Sequence, residues 1–310
     1  MFLDKIKNRT SGILIYSITP PKLNTPPEKV MEAGCITVAR IQELTIDALI
    51  VYDVQDESTR TKAQRPYPFQ PAIDPLTYTS AHLSSLSLPK IIYRPAGKYT
   101  PEELKTWFQT LQQYNCHPVL VGIPSPDYAP KSSLTEAYDI TSQYQDTSVI
   151  GAIAIPERHV VLKDEQQRML DKIRSGVSYF VTQCVFNVDY TIQLLKDFKS
   201  ACLAEGQTLP TIVFTLSTCG SLKTLQFMEW LGIHFSEDYK ARLEVSSAML
   251  EDSVDICLST AEQLAAYCLT ESIPFGFNIE SVSLRKDEIE ASIALLKQVQ
   301  QVLFKSETLH

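Results

Sequence analysis

The run "AIPERHVVLKDEQQRMLDKIRSGVSYFVTQCVFNVD" (154–189) brings Glu157, His159, Lys172 and Gln183 into one stretch of chain. A histidine and a lysine at one site can neutralise a pyrophosphate, and a buried glutamine offers both a donor and an acceptor to the amide-like edge of a heterocycle. The same residues also have a plain structural reading, in which Lys172 faces solvent, His159 caps a loop and Gln183 satisfies a backbone group. Spacing leaves both readings open. A second feature is Ser17 in "GILIYSITPPK" (12–22), a small polar residue in an apolar run that ends at Pro20 and Pro21. Its hydroxyl has no proton-transfer pKa near neutrality, so it cannot act directly as a carboxylic acid would.

These residues need a frame that points them at one volume. Apolar runs of strand length recur eight times, at 12–19, 48–54, 90–95, 118–124, 149–156, 179–185, 211–217 and 275–281. Between them, segments with helical periodicity cover about 26–46, 77–87, 101–115, 132–145, 163–175, 189–204, 221–231 with 236–248, 253–272 and 285–304. Near-continuous apolar strands alternating with helices are strands buried on both faces, which predicts an α/β fold: an eight-stranded parallel (β/α)8 TIM barrel spanning 1–310 as one domain. A doubly wound open sheet also alternates strand and helix, but the count of eight and the missing glycine-rich first turn favour the barrel. In a barrel, functional groups stand at the C-terminal strand ends. That selects Ser17, Thr19, Asp53, Asp56, Tyr93, Arg94, Ser125, Asp127, Glu157, His159, Gln183, Ser217, Thr218, Asn278 and Glu280. The polar, proline-rich loop 55–74 is long for a compact domain and is read as functional.

Composition narrows the function. The formal charge is −8 and no Lys/Arg stripe is present, which argues against a nucleic-acid partner and for small molecules. No apolar run reaches the ~20 residues of a membrane span, and the N-terminal segment does not resemble a secretory signal, so a cytoplasmic protein is expected. The seven cysteines include no C-x-x-C pair and no zinc-ligand spacing, which predicts reduced core thiols and no metal. Gly is scarce at 10 residues and forms neither G-x-G-x-x-G nor a Walker loop, so a bound nucleotide would be held in another way.

Several segments, in order, resemble the methylenetetrahydrofolate reductases. "AIPERH" resembles that family's Y-P-E-x-H motif, and "LDKIRSGVSYFVTQCVFNVD" its L-x-x-K-x-x-A-G-A-x-F-x-I-T-Q-x-x-F-D segment. "YSITPPK" resembles its F-E-F-x-P-P-K opening, and "DALIVYDV" its second strand; "LPTIVFTLSTCGSLK" and "IPFGFNIESVS" resemble its later strands. The resemblance implies a TIM barrel holding FAD, with hydride passing from NAD(P)H to methylenetetrahydrofolate to give methyltetrahydrofolate, in one-carbon metabolism and methionine biosynthesis. It places Tyr52, Ile155, Glu157, His159 and Lys172 along the flavin and its phosphates, and Gln183 and Asn278 on the folate. Tyr67, Tyr93 and Arg94 are candidates for stacking. The departures fall on the acids: Ser17 stands at the position of the family's strand-1 glutamate and Ser125 at that of its strand-4 aspartate. Lys90 replaces a histidine, and Asn278 and Glu280 replace a histidine and a tyrosine. Either the acid has moved, with Glu280, Asp127 and Glu157 as candidates, or the protein binds folate or flavin without the standard reduction. In the latter case it is a methyl-transfer partner or a reductase of another heterocycle. A non-catalytic barrel acting by protein association is the third reading, and a homo-oligomer is compatible with the outer helices.

Overall fold

The computed structural model describes residues 2–58, 61–123, 129–144 and 149–307. Eight parallel strands close in sequence order: β1 (Ile13–Ile18), β2 (Ala48–Val51), β3 (Lys90–Pro95), β4 (Cys116–Val121), β5 (Gly151–Ala154), β6 (Tyr179–Cys184), β7 (Thr211–Thr218) and β8 (Phe275–Ser281). Around them lie α1 (Phe2–Asn8), α2 (Pro27–Gln42), α3 (Pro75–His82), α4 (Pro101–Leu111), α5 (Leu134–Thr141), α6 (Pro156–Leu162), α7 (Glu165–Arg174), α8 (Val188–Ala204), α9 (Leu222–Trp230), α10 (Glu237–Val245), α11 (Met249–Glu271) and α12 (Lys286–Glu307). The (β/α)8 barrel expected from the sequence is the observed fold. Among the described residues no helix is long and apolar enough to cross a membrane.

Local chemistry sets the helix starts. Thr100 and Ser133 each open a helix with a capping box closed by Glu103 and Glu136, and Pro101 supplies a pre-set φ at the first position of α4. Asn187, Ser221 and Ser236 cap α8, α9 and α10 by accepting from the backbone amide three residues on. Two helices lie outside the sequence expectation. Both α1 and α6 have seven residues, too few turns to display a helical period.

The core divides into two layers because strand side chains alternate. One set, including Leu14, Tyr16, Phe277 and Ile279, packs outward against the helices. The other, including Ile13, Ile15, Ile50, Tyr93, Val119, Tyr179, Val181 and Val213, fills the barrel. Phe2 and Ile6 of α1 plug its N-terminal end, and the Phe2 ring meets Tyr179 edge-on at 5.7 Å. Each such fully buried side chain contributes roughly 1.5–3 kcal/mol of transfer free energy. Two glycines make the closure possible. A Cβ at Gly276 would lie 2.4 Å from the Ile13 carbonyl where β8 joins β1, and one at Gly151 would lie 2.5 Å from the Tyr179 ring.

Lys90 corrects an expectation. It begins β3, at the end of the barrel opposite the mouth, where its buried ammonium is bonded to the Leu86 carbonyl.

Candidate functional site

At the C-terminal end of the barrel the apolar filling gives way to a polar layer from β1, β2, β7 and β8. The Ser17 hydroxyl donates to Asn278 Oδ1 at 2.5 Å. Asn278 Nδ2 then donates to Thr215 Oγ1 and to the Tyr52 hydroxyl, each at 3.2 Å. Ser17, Asn278 and Thr215 are buried, so this hydrogen-bonded set fixes the amide in one orientation. Above it, partly exposed, sit Tyr52 and Glu280. The Tyr52 hydroxyl donates to Glu280 Oε2, and the Cys184 thiol donates to Oε1 at 3.0 Å. The Tyr93 ring stands edge-on to Tyr52 at 4.7 Å. Ser217 pairs with Glu280 across the β7–β8 ladder, and its hydroxyl is buried with no hydrogen-bond partner.

Burial governs the proton inventory here. It raises the Glu280 carboxyl above the usual carboxylate range, while the bonds from Cys184 and Tyr52 pull it partly back. Burial, followed by the nearby Glu280 charge, pushes the Tyr52 hydroxyl and the Cys184 thiol far up. Both therefore keep their protons at neutral pH and act as donors to the carboxyl group. A carboxylate has about four lone-pair sites and these two donors occupy two of them, so Glu280 retains acceptor capacity towards the mouth.

The Cys184 contact depends on an irregularity in β6. Val181 pairs with Val213, but Cys184 pairs with Thr215, so β6 carries one more residue than β7 over this interval. Thr182 Oγ1 accepts from the Thr215 amide within the bulge. Strict alternation would aim Gln183 inward; the extra residue aims Cys184 inward instead. Gln183 is partly exposed and donates to the Leu231 carbonyl at 2.8 Å, just past α9. The structure thus gives Gln183 the backbone-satisfying role and adds Cys184 and Thr215 to the site.

The loop after β2 roofs this floor. Its far end pairs with the chain leaving β1, through Leu23 N to the Pro71 carbonyl and Ile73 N to the Pro21 carbonyl, with Lys22 bridged to Ala72. Its middle is tied to α9: Trp230 Nε1 donates to the Ala63 carbonyl at 3.0 Å, and Tyr67 meets Phe227 edge-on at 5.3 Å. The loop therefore spans the rim above β1 and β8, the strands that carry Ser17, Asn278 and Glu280.

The cations expected along a flavin do not gather at this mouth. Lys172 reaches from α7 to the Ile153 carbonyl at 2.6 Å, and burial lowers its pKa to about 8. The buried His159 ring sits in α6, with Nε2 2.8 Å from Asp197 Oδ2 of α8. Ile155 caps α6, and its amide donates to Glu165, a fully buried carboxylate that also pairs with Arg158 at 3.0 Å. Glu157 lies in the first turn of α6 and is partly exposed. Ser125 and Asp127 lie outside the described residues. Asp53 and Arg94 face outward and pair with each other at 3.3 Å; Arg94 also holds Asp74 at 2.8 Å, and Lys98 holds Asp53 at 2.6 Å. Asp74, Arg94, Tyr99 and Trp107 line a separate cleft of about 460 Å³ beside α4.

Barrels often seat a phosphate against the loops after β7 and β8 and a helix N-terminus. Here that corner holds a carboxyl group. Glu288 is fully buried against Gly220 and accepts from Thr224 Oγ1 at 3.3 Å, and its pKa is raised, chiefly by burial. A carboxyl in that place leaves a phosphate neither the room nor the charge complementarity it needs.

Comparison with solved structures finds a full-length match at substantial sequence identity. It is an uncharacterized protein from Clostridium thermocellum that binds two copies of 5-methyl-5,6,7,8-tetrahydrofolic acid, 39% identical, with a TM-score of 0.86 over 97% of this chain and 100% of that one. The chain belongs to that protein's family. A second structure, the 2,3-dimethylmalate lyase of the PEP mutase/isocitrate lyase superfamily, aligns at 11% identity with a TM-score of 0.44 over 98% of this chain and 96% of that one, too loosely to bear on function. No protein-family model and no curated protein matches the chain. The likeness to the methylenetetrahydrofolate reductases thus rests on the sequence motifs alone.

Proposed function

We propose that this member of the family binds a reduced, methyl-bearing folate at the barrel mouth, with the pterin on the Glu280 and Tyr52 floor, and serves one-carbon chemistry without flavin-dependent reduction. The observation that carries this reading is the 5-methyltetrahydrofolate bound by the 39% identical relative. The floor suits that ligand chemically. A pterin presents an amino group and a ring N–H side by side, and the free acceptor sites of Glu280 match that pair of donors with charge-assisted bonds. Ser17 then has a positioning role. Its hydroxyl fixes the Asn278 amide, which in turn holds Tyr52 against Glu280. The engagement of His159 and Lys172 away from the mouth, and the carboxyl of Glu288 in the phosphate corner, favour binding without FAD.

One observation favours the reductase reading: burial raises the Glu280 carboxyl's pKa, the direction that suits an acid opening a methylene bridge. In that reading Glu280 is the acid that replaces Ser17, and FAD carries hydride from NAD(P)H. A single experiment separates the two. Calorimetric titration of the purified protein with 5-methyltetrahydrofolate is expected to show saturable binding, with no flavin spectrum. Absence of binding overturns the proposal. A flavin spectrum together with NAD(P)H-dependent reduction of methylenetetrahydrofolate would replace it with the reductase reading.

A further inference from the structure

Arg65, in the roof loop, is a cation with no hydrogen-bonded counter-ion among the described residues. Its Nη1 donates to the Tyr67 carbonyl at 2.6 Å, and its guanidinium lies 5.6, 4.9 and 5.2 Å from the ring centres of Phe69, Phe227 and Trp230. Its Nε is buried and has no hydrogen-bond partner. Burial lowers its pKa, and Asp56 and Glu57 act on it through space without a hydrogen bond. On the neighbouring face, Lys223 stands 4.5 Å over the Tyr67 ring, and Arg285, at the exit of β8, also lies within electrostatic reach of Tyr67. Arg65 is partly exposed, and among the described residues no carboxylate is hydrogen-bonded to it, which leaves its guanidinium able to take a ligand anion. Cation–π contacts hold the group in place but leave its remaining N–H donors unused.

We infer that Arg65 and the Phe227–Trp230 face of α9 form the subsite for the aminobenzoylglutamate tail of the folate, with Arg65 taking a tail carboxylate. The inference rests on the folate reading and specifies how that ligand is discriminated from a bare pterin. The geometry is consistent with the shape of the ligand. The pterin occupies the floor beneath the loop, the aromatic faces above accept the benzoyl ring, and the carboxylates emerge beside Arg65 and Lys223, while Arg285 is engaged by Asp287 at 2.8 Å.

The test compares two ligands, 5-methyltetrahydrofolate and a 5-methyltetrahydropterin that lacks the tail, on the native protein and on Arg65→Gln and Arg65→Lys. Native protein is expected to prefer the full folate. Arg65→Gln is expected to weaken the full folate by about 10- to 100-fold while leaving the affinity for the tail-less pterin within threefold, and Arg65→Lys to lose less, because it keeps the charge. Melting temperatures of the variants report separately on the fold. Equal weakening of both ligands, or no weakening of the folate, overturns the inference. Native protein that binds both ligands equally well overturns it while the folate reading stands, whereas native protein that binds neither overturns both.

Discussion

Replacing Glu280 with glutamine changes one charge at the centre of the floor and keeps the side-chain shape. In the native protein Tyr52 and Cys184 donate to the two carboxylate oxygens, leaving about two acceptor sites for ligand donors. Each charge-assisted bond is worth about 1.5–3 kcal/mol, and the amide can offer the pterin at best one neutral acceptor beside a repelling N–H. The expected loss is about 2–4 kcal/mol, a roughly 30- to 800-fold weaker Kd for 5-methyltetrahydrofolate by titration calorimetry. Stability should move the other way. The folded-state pKa of Glu280 lies above its unfolded value, so the native state holds the extra proton and stability falls as pH rises from about 4.5 through the raised pKa. Above that window the native protein carries the penalty of a buried carboxylate, which Glu280→Gln removes. The variant should therefore melt no lower than the native protein at pH 8 (~3.5 units above the carboxyl's ordinary value), and its advantage should vanish in acid. A Kd within threefold of native, or a marked loss of stability at pH 8, would refute the reasoning.

Other perturbations test other parts of the structure. The buried His117 at the closed end has its pKa lowered to about 4, chiefly by burial, so the unfolded chain binds the extra proton between pH 6.5 and 4 and native stability falls across that window as pH drops. The loss is about 3 kcal/mol in denaturant melts, and His117→Phe should flatten it. Lys172 titrates near 8 when folded, against an ordinary value of 10.5, so native stability should rise between those values as the ammonium loses its proton. Discounted for partial exposure, the gain is about 1–3 kcal/mol and should be absent in Lys172→Met. Ser17→Ala frees the Asn278 amide and should lower stability by about 1 kcal/mol and weaken folate binding modestly. Trp230→Phe removes the tether to Ala63 and should speed proteolytic cleavage within 61–74 by severalfold without unfolding the barrel.

The barrel was legible because its strands are buried on both faces and so appear as continuous apolar runs, each within a few residues of the observed bounds. Ser17, Asn278 and Glu280 were legible for the same reason: barrel geometry makes strand ends the candidate list, whereas Tyr52 came only from the family resemblance. What the sequence hid were effects that periodicity does not encode. One inserted residue in β6 exchanges the directions of Gln183 and Cys184, and no pattern of residue types marks it. The short α6 turns His159 towards Asp197 on α8, a contact nearly forty residues away in sequence. Lys172 is a plain amphipathic-helix lysine until the Ile153 carbonyl is seen beneath it. The ring-bound setting of Arg65 emerges only once the loop is folded onto α9, because its three ring neighbours come from two segments far apart in the chain.

The most direct test of the central claim is a crystal structure of the protein soaked with 5-methyltetrahydrofolate. The account predicts the pterin edge within hydrogen-bond distance of Glu280, with Tyr52 alongside and the tail directed towards Arg65. A folate seated elsewhere, such as the Arg94–Trp107 cleft, with the Glu280 floor free of ligand, would contradict it.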